Sequence, residues 1–559
     1  MNMEISFSPG FTTCPKCGSR LVLYKTERRV VKSVDYGFTA VHRPMICRHD
    51  GTIFRSERIS GIVSPHCTYA NQVMLESATR RYIDGRSSSE IALGMNNGIS
   101  ERHVRRLSNM ALDIFPVIHS SNADKLRSCL KSYILQIDGT TDSDFSMIVA
   151  VRDSISDFVL HVDRCSSESE ESMKAVLRVV NERFGDPSGI TCDMRSGIIS
   201  AAQSMFPKTP IRICLMHFLR DLGKDLLLDM HTDLGIMINR MGIKSTLKSI
   251  LRDIPDNDQK TLDEIGDGYV SDRDKVEIMA VRRILEKLIE TTGSSGYGFP
   301  FSLKHMNFYL ACLEAKNGLA GLSGKIVSEK AKEYVKSIMD HVAAITDNDT
   351  ISATGRNLGS VNALFQSMKR AFKVPRMGKL SDEIPDDDSI HDRCSLIVKH
   401  MEVFLHAGIP SHIRTAARII MERYRRRETM LFANNAEHTI PRTNNGMERF
   451  FRKLRRNVRK RTGNMSTGTV LTKTGESLAL FQNMENPEYV KIVFGSRDIA
   501  SVFAKLRKPF MKKGMTTQRK KELMKKGTEM LMKDSLPNTP YTPEFMEQAY
   551  SSRRSSGII

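Results

Sequence analysis

Three carboxylates in this sequence occur in surroundings that suit a divalent metal ion. Asp138 comes at the end of the strand-like run KSYILQIDGTT, and Asp193 comes at the end of the run GITCDM. Glu448 is the single acid in TNNGMERFFRKLRRNVRKRTG, residues 443–463. Mg²⁺ prefers hard oxygen ligands, and two such ions can drive phosphodiester cleavage when acids from different elements converge. The pattern predicts Asp138, Asp193 and Glu448 as catalytic ligands of Mg²⁺ or Mn²⁺.

Each of these acids also fits a purely structural interpretation. Glu448 would lie in the first turn of a helix, after Asn444 or Asn445 as N-cap, where an acid interacts favourably with the helix dipole. Asp138 and Asp193, taken singly, fit turns or helix caps, because the chain has 64 acidic residues. The metal hypothesis therefore depends on the three acids converging.

The residues that follow Glu448 are strongly basic. Cations at this place would hold the phosphates of a nucleic acid and stabilise charge that develops on a phosphate during its reaction. The predicted phosphate-binding residues are Arg449, Arg452, Arg455, Arg456 and Arg459. A wholly solvated basic helix is the alternative.

A second group of potential metal ligands lies near the N-terminus. Cys14 and Cys17, in CPKCG, form the Cys-x-x-Cys turn of zinc-binding modules, and CRHDG at 47–51 supplies the second half. We predict Cys14, Cys17, Cys47 and Asp50 as zinc ligands, with the fourth ligand uncertain because an aspartate stands where a cysteine is usual. Other nearby ligand types are His49, His66 and Cys67. The alternative is a ribbon without metal, in which the cysteines are ordinary buried residues.

Residues 70–115 have the pattern of three short helices. Ser87 and Glu90 form a capping box for the second helix, and Ser100 caps the third after the turn NNGI. Two helices joined by a short Gly-containing turn indicate a helix-turn-helix. Its predicted DNA-binding residues are Arg102, His103, Arg105 and Arg106. A helical bundle with a solvated basic face would show the same pattern.

The periodicity changes after residue 130. KSYILQIDGTT, FSMIVAVRD and FVLHVDRCS are strand-like, and a helix over Glu170–Phe184, the strand GITCDM, the helix GIISAAQSMF and a fifth strand candidate, RICLMHF, follow. This order is expected of a ribonuclease-H-like α/β layer. Four helices are predicted beyond it, at 225–251, 272–290, 328–345 and 411–427.

These patterns divide the chain into six predicted parts and define its fold class as multidomain α/β. A zinc ribbon and a helix-turn-helix precede a ribonuclease-H-like catalytic core that a large helical insertion interrupts. The parts are a zinc ribbon at 1–65, a helix-turn-helix at 68–118, the first part of the core at 130–225, a helical insertion at 226–435, the second part of the core at 436–500 and a basic tail at 501–559.

Composition indicates the kind of partner. The formal charge of +20 and a pI of about 9.5 favour a polyanion, with nucleic acid first and a membrane surface second. We expect no membrane span, since no apolar run is long enough, and no signal peptide at the N-terminus. The ten cysteines are thinly spread, which is typical of a reducing compartment, so we predict an intracellular protein (cytoplasm or nucleoid in a prokaryote).

The segments around the three acids resemble DDE-type DNA transposases, especially the mutator-like and hAT-like group and related insertion-sequence enzymes. QIDGT surrounds Asp138, TCDMRSGIISAAQSMFP surrounds Asp193, and NNGMERFFRKLRR is similar to the family's Glu helix. CLMHFLRD supplies the group's Cys-x-x-His at Cys214 and His217. We expect these two to support the metal site, or to form half of a second zinc site.

The resemblance implies an activity and partners. It implies binding to the terminal inverted repeats of a mobile element, Mg²⁺-dependent hydrolysis of a phosphodiester, and attack of the freed 3′-hydroxyl on target DNA. It also implies a homo-oligomer on double-stranded DNA and a large helical insertion before the Glu. Two rivals stay open: a catalytically inactive, transposase-derived DNA-binding regulator, and a structure-selective nuclease of the same fold.

Overall fold

A computed structural model describes residues 3–141, 147–291, 298–374, 387–435 and 439–510. The architecture is mixed α/β, mainly helical with small sheets. The chain divides into two compact units. The first comprises Met1–Leu75, Asn109–Ile114 and Asp498–Ile559, of which 3–75, 109–114 and 498–510 are described, and the second comprises Glu76–Ser108 and Phe115–Arg497.

The N-terminal residues of the first unit form two three-stranded sheets. The strands are β1 (Glu4–Phe7), β2 (Leu21–Leu23), β3 (Glu27–Lys32), β4 (Gly37–His42), β5 (Met45–Cys47) and β6 (Ile53–Phe54). One sheet has the order β1-β4-β3 and the other β2-β5-β6. The short helix α1 (Glu57–Ile62) follows. Cys14, Leu21 and Cys47 form a small buried cluster beside the second sheet.

The three predicted helices of the 70–115 segment are confirmed. They are α2 (Asn71–Tyr82), α3 (Ser88–Leu93) and α4 (Glu101–Ser121), and α5 (Ala123–Leu130) comes next. The capping box is present, since the amide of Glu90 donates to Ser87 and the amide of Ser87 donates to the Glu90 carboxylate. Ser100 caps α4 by accepting a hydrogen bond from the amide of His103 at 3.4 Å.

A five-stranded sheet lies at the centre of the second unit. Its elements in chain order are β7 (Ile134–Thr141), β8 (Met147–Asp153), β9 (Val159–Cys165), α6 (Glu170–Phe184), β10 (Gly189–Cys192), α7 (Ser196–Met205) and β11 (Ile211–Ile213). The spatial order is β11-β10-β7-β8-β9. β7, β8 and β9 are antiparallel neighbours, whereas β10 and β11 run parallel to β7. Parallel pairing requires a crossover, which α6 and α7 provide.

Two details of the predicted sheet are wrong. Asp138 lies inside β7 rather than at its end, because β7 stays paired with β8 as far as Thr141. The predicted strand RICLMHF is a strand only at Ile211–Ile213, and a helix begins at Leu215. Short apolar runs have the same appearance in a buried strand and a buried helix, so periodicity could not separate them.

A long helical region follows β11. Its elements are α8 (Leu215–Arg240), α9 (Ile243–Asp253), α10 (Gln259–Gly266), α11 (Arg273–Glu290), α12 (Lys304–Ser323), α13 (Glu329–Thr346), α14 (Asp349–Ala371), α15 (Asp387–His400), a 3-10 helix (Met401–Leu405) and α16 (Ser411–Leu431). The helices predicted at 272–290, 328–345 and 411–427 are confirmed. The single helix predicted at 225–251 is wrong, because Gly242 adopts a φ of +67° and separates α8 from α9.

The described chain ends with α17 (Asn445–Thr462), α18 (Gly468–Phe481), a 3-10 helix (Gln482–Glu485), α19 (Pro487–Phe494) and α20 (Ile499–Phe510). α17 buries Met447, Phe451, Leu454 and Val458, which share one face of the helix. It ends at Gly463, whose left-handed φ of +71° is common at helix C-termini. Residues 511–559 of the predicted basic tail lie outside the described residues.

A membrane-spanning segment was also sought among the helices. Over the described part of the chain, none combines the length and the apolar composition that crossing a bilayer requires.

Candidate functional site

Asp138 and Glu448 line one open cavity of about 510 Å³. Asp138 comes from β7, the middle strand of the sheet, and Glu448 comes from the first turn of α17. Three cations on α17 complete the opposite wall: Arg452, Arg455 and Arg459. The structure therefore brings two of the three predicted acids together, beside part of the predicted phosphate-binding set.

Electrostatics ties Asp193 to the same place. Burial raises the pKa of Asp138 to about 7, and the negative charges of Asp193 and Glu448 raise it further. Burial also raises the pKa of Asp193, which is 6% exposed. A cation would offset this repulsion, so the donor set fits a divalent metal ion.

The acids are not in a closed ligand geometry. Within the described residues, the only group of three potential ligands whose donor atoms all lie within 4.8 Å of one another is Cys14, Cys17 and Cys47. The oxygens of Asp138, Asp193 and Glu448 are therefore spread more widely than that. Side-chain rotation, for example of the half-buried Glu448, would be needed for all three to contact one ion.

Arg195 is the present counter-ion of Asp193. Its Nε lies 3.2 Å from Asp193 Oδ2, and its amide donates to Asp193 Oδ1 at 3.1 Å. The same guanidinium contacts the carboxylate of Glu168, whose side chain is 10% exposed. Sequence reasoning missed both residues. Glu168 lies in the Ser- and Glu-rich segment SSESEES, where no spacing distinguishes it from its neighbours.

Asn444 fixes the beginning of α17 against the sheet. It is fully buried, and its side-chain amide donates to the carbonyl of Ile137 at 3.1 Å instead of capping the helix. Its backbone amide donates to Cys214 Sγ at 3.2 Å. Cys214, just before α8, therefore contacts the residue that begins the Glu448 helix.

His217 lies on α8 between two of the acids. Burial lowers its pKa, whereas the charges of Asp193 and Glu448 favour its protonation. Nδ1 of His217 is buried and has no hydrogen-bond partner within the described parts of the chain. Cys214 and His217 thus lie next to the acids, and no cluster of described ligands completes a second zinc site with them.

The basic residues of α17 face more than one direction. Arg455 donates to the Thr140 hydroxyl on β7, next to Asp138. Arg449 faces a different cavity, of about 490 Å³, which Arg152 also lines. Across the described chain, no carboxylate lies within 4 Å of Arg452, Arg456 or Arg459. These guanidinium groups suit phosphate oxygens.

The predicted DNA-binding residues of α4 occupy its first two turns. Arg102, Arg105 and Arg106 are exposed, and His103 is half-buried. Arg105 forms an ion pair with Glu101 at 2.9 Å. Burial, and then the charges of Arg106 and Arg102, lower the pKa of His103. The exposed N-terminal end of a recognition helix is the part that contacts base edges.

The N-terminal cysteine cluster can hold a metal ion. Cys17 Sγ lies 3.5 Å from Cys47 Sγ, and Cys14 Sγ lies 3.9 Å from Asp50 Oδ2. Tetrahedral zinc with bonds of about 2.3 Å places two sulfurs about 3.8 Å apart. Hydrogen bonds with Ser19 lower the pKa of Cys17 to about 7, which favours the thiolate that metals bind.

The two halves of this cluster have matching turns. The amide of Gly18 donates to the Cys14 carbonyl at 2.9 Å, and the amide of Gly51 donates to the Cys47 carbonyl at 2.9 Å. Both glycines have a positive φ. Asp50 therefore stands in the second turn where Cys17 stands in the first. Three other potential ligands do not join the group of three cysteines: His49, His66 and Cys67.

Comparisons with known proteins leave the function to be argued from the site. No protein-family model matches the chain, and no curated protein matches it by sequence.

Proposed function

We propose that this protein is a metal-dependent DNA transposase with a ribonuclease-H-like core. One observation carries the proposal: carboxylates from β7, from the residue after β10 and from the first turn of α17 influence one another at a cavity whose other wall is basic. Acids alone are common, but acids next to unshared guanidinium groups suit a phosphodiester and the metal ions that activate it.

The sheet order supports the fold part of the proposal. Three antiparallel strands followed by two parallel strands on the far side of β7, with helical crossovers, is the arrangement expected of a ribonuclease-H-like layer. α17 packs on this sheet after a helical insertion that spans α8 to α16. Glu448 would thus complete a set whose other members are in β7 and after β10.

Each group has a defined task in the proposed reaction. Bound Mg²⁺ or Mn²⁺ would activate the attacking water or 3′-hydroxyl and offset charge on the leaving oxygen. Asp138, Asp193 and Glu448 would hold the metal. Arg452 and Arg459 would position the phosphate, and Arg455, held by Thr140, would stabilise its developing charge.

The other parts of the chain would select the DNA. α3 and α4 would form a helix-turn-helix that reads the terminal repeats through Arg102, His103 and Arg106. The cysteine cluster, with Asp50 as fourth ligand, would hold a structural zinc ion. We propose that the protein acts on double-stranded DNA as a homo-oligomer.

The test compares cleavage with binding in the same variants. Asp138→Ala, Asp193→Ala and Glu448→Ala should each abolish Mg²⁺-dependent cleavage of duplex DNA and retain DNA binding. Asp233→Ala, an exposed acid on α8, is the matched control and should cleave normally. Undiminished cleavage by the three variants would overturn the site. Sequence-specific binding by a wild-type protein that never cleaves would instead favour a regulator.

A further inference from the structure

The C-terminal end of α2 is fastened to α17 and to the 3-10 helix after α18. Gln482 donates to the carbonyl of Tyr82 at 3.2 Å, Asn457 to Ile83 at 2.8 Å and Lys460 to Asp84 at 3.0 Å. Helix C-termini leave carbonyls without intrahelical partners, and here side chains of other elements satisfy three consecutive ones. We call these residues, with Gly85, the joint.

The joint is tightly packed. Tyr82, Asn457 and Gln482 are 2%, 5% and 8% exposed. A Cβ at Gly85 would lie 3.2 Å from the Cα of Asn457, and Gly85 has a φ of +69°. Only glycine allows this approach without strain. α3 and the start of α4, which follow Gly85, are therefore mounted on α17 within one compact unit.

The positions of side chains around α17 relate the joint to the cavity. Each residue advances about 100° around a helix, so Glu448, Arg452 and Arg459 share a stripe toward the cavity, and Asn457 faces about 180° away. Arg456 lies about 80° from Glu448, on the exposed arc between the two sides.

The basic character continues beyond α17. The amide and hydroxyl of Ser87 lower the pKa of Glu90, and the charges of Lys460 and Arg86 lower it further. Lys460 on α17 and Arg86 before α3 are therefore close to the same carboxylate. Cations run from the cavity stripe through Arg456 to the beginning of the helix-turn-helix.

We infer that the exposed arc of α17 is a path for one DNA duplex, which leads from the helix-turn-helix to the cavity of Asp138 and Glu448. The segment that reads sequence and the cavity that cleaves then act in cis, on the same duplex and from the same chain. This inference rests on the proposed function and adds a fixed geometry to it.

The length of α17 sets the spacing. Asn457 and Lys460 follow Glu448 by nine and twelve residues. At about 1.5 Å per residue this corresponds to about 14–18 Å along the helix. Since base pairs rise by about 3.4 Å, the cavity meets the duplex about 4–5 base pairs from the joint.

Complementation between two inactive proteins tests action in cis. One carries Arg102→Ala, His103→Ala and Arg106→Ala, the other carries Asp138→Ala, and the substrate is a duplex selected by the full chain from a random library. The mixture should cleave no better than either protein alone, whereas each mixed with wild type should leave the wild-type activity visible. Restored cleavage in the mixture of the two variants would overturn the inference.

Footprinting tests the path without requiring cleavage. Hydroxyl radicals should show one continuous protected region that extends about 4–5 base pairs beyond the sequence the protein selects. Arg456→Ala should lose protection at the middle of this region. Lys453→Ala is the control, because Lys453 is engaged by Glu485, and should retain it.

The two footprinting outcomes separate this inference from the proposed function. Wild-type protection limited to the selected sequence, or loss of protection in both variants alike, would overturn the path. A continuous footprint on DNA that wild-type protein never cleaves would support the path and overturn the proposed catalysis.

Discussion

His119→Gln is expected to remove a large part of the protein's sensitivity to acid. His119, near the end of α4, is 1% exposed. Its Nε2 lies 2.8 Å from the Leu160 carbonyl, which can only accept a hydrogen bond, so Nδ1 accepts from the Tyr489 hydroxyl at 2.7 Å. The imidazole is therefore neutral in the folded protein, and a second ring proton would point at an occupied donor.

Burial lowers the pKa of His119 from 6.5 to about 4. The folded state therefore takes up the proton later than the unfolded state as the pH falls. The stabilisation is fully present above about pH 6.5 and is lost as the pH falls toward 4. A difference of about 2.5 between the two pKa values corresponds to about 3 kcal/mol of unfolding free energy.

The assay is urea unfolding of full-length wild type and His119→Gln between pH 4 and pH 7.5. The variant should be less stable at pH 7.5, since glutamine reproduces the two hydrogen bonds poorly. Its loss of stability on acidification should be smaller than that of wild type by about 3 kcal/mol. The exposed His406 provides a control substitution, His406→Gln. Equal acid sensitivity of wild type and His119→Gln would refute the reasoning.

Three further predictions concern the zinc cluster, the core and DNA binding. Purified protein should contain about one zinc ion per chain, which Cys14→Ser releases and the exposed control Cys129→Ser retains; metal analysis that finds no zinc would contradict this. Gly475→Ala should destabilise the protein by about 1–3 kcal/mol, because the new Cβ would lie 2.0 Å from Ile148 Cδ1, whereas Gly321→Ala, with open space around it, should stabilise by up to about 1 kcal/mol; thermal unfolding checks the opposite signs. Neutralising Arg455 and Arg456 should weaken binding to all DNA and flatten the salt slope by roughly one unit per phosphate contact, whereas changing Arg102, His103 and Arg106 should cost about 1–3 kcal/mol of sequence preference per base contact; competition binding with the reverse result would exchange the two roles.

The local patterns of the central sheet were readable from the sequence. β7, β8 and β9 are runs of β-branched and apolar residues separated by polar turns, and α6 has an amphipathic period that gives its ends correctly. Capping chemistry located α3 and α4, because Ser87, Glu90 and Ser100 satisfy specific amides at helix starts.

Elements without such contrast were missed. α12 has apolar and small residues on most sides, and α14 contains several Gly, Ser and Thr residues, so neither shows a clear helical face. The break at Gly242 depends on a backbone conformation that the amino-acid type permits but does not require.

The spatial relations of the site exceed what one sequence contains. The proximity of Asp138 to Glu448 depends on packing of α17 against β7, which Asn444 fixes through a backbone carbonyl that any residue could supply. The ion pairs of Arg195 with Asp193 and Glu168 and the joint at Asn457 are likewise long-range contacts, between residue types that are common on surfaces. Only the types of the three acids and the basic run after Glu448 were visible beforehand.

Cleavage by Glu448→Gln tests the central claim most directly. Glutamine keeps the size of the side chain and its place in the first turn of α17, and removes only the negative charge. The account predicts that Mg²⁺-dependent cleavage of duplex DNA is lost, while DNA binding and thermal stability equal those of wild type. Cleavage at the wild-type rate would contradict it, because Glu448 would then be no more than a favourable charge at the start of a basic helix.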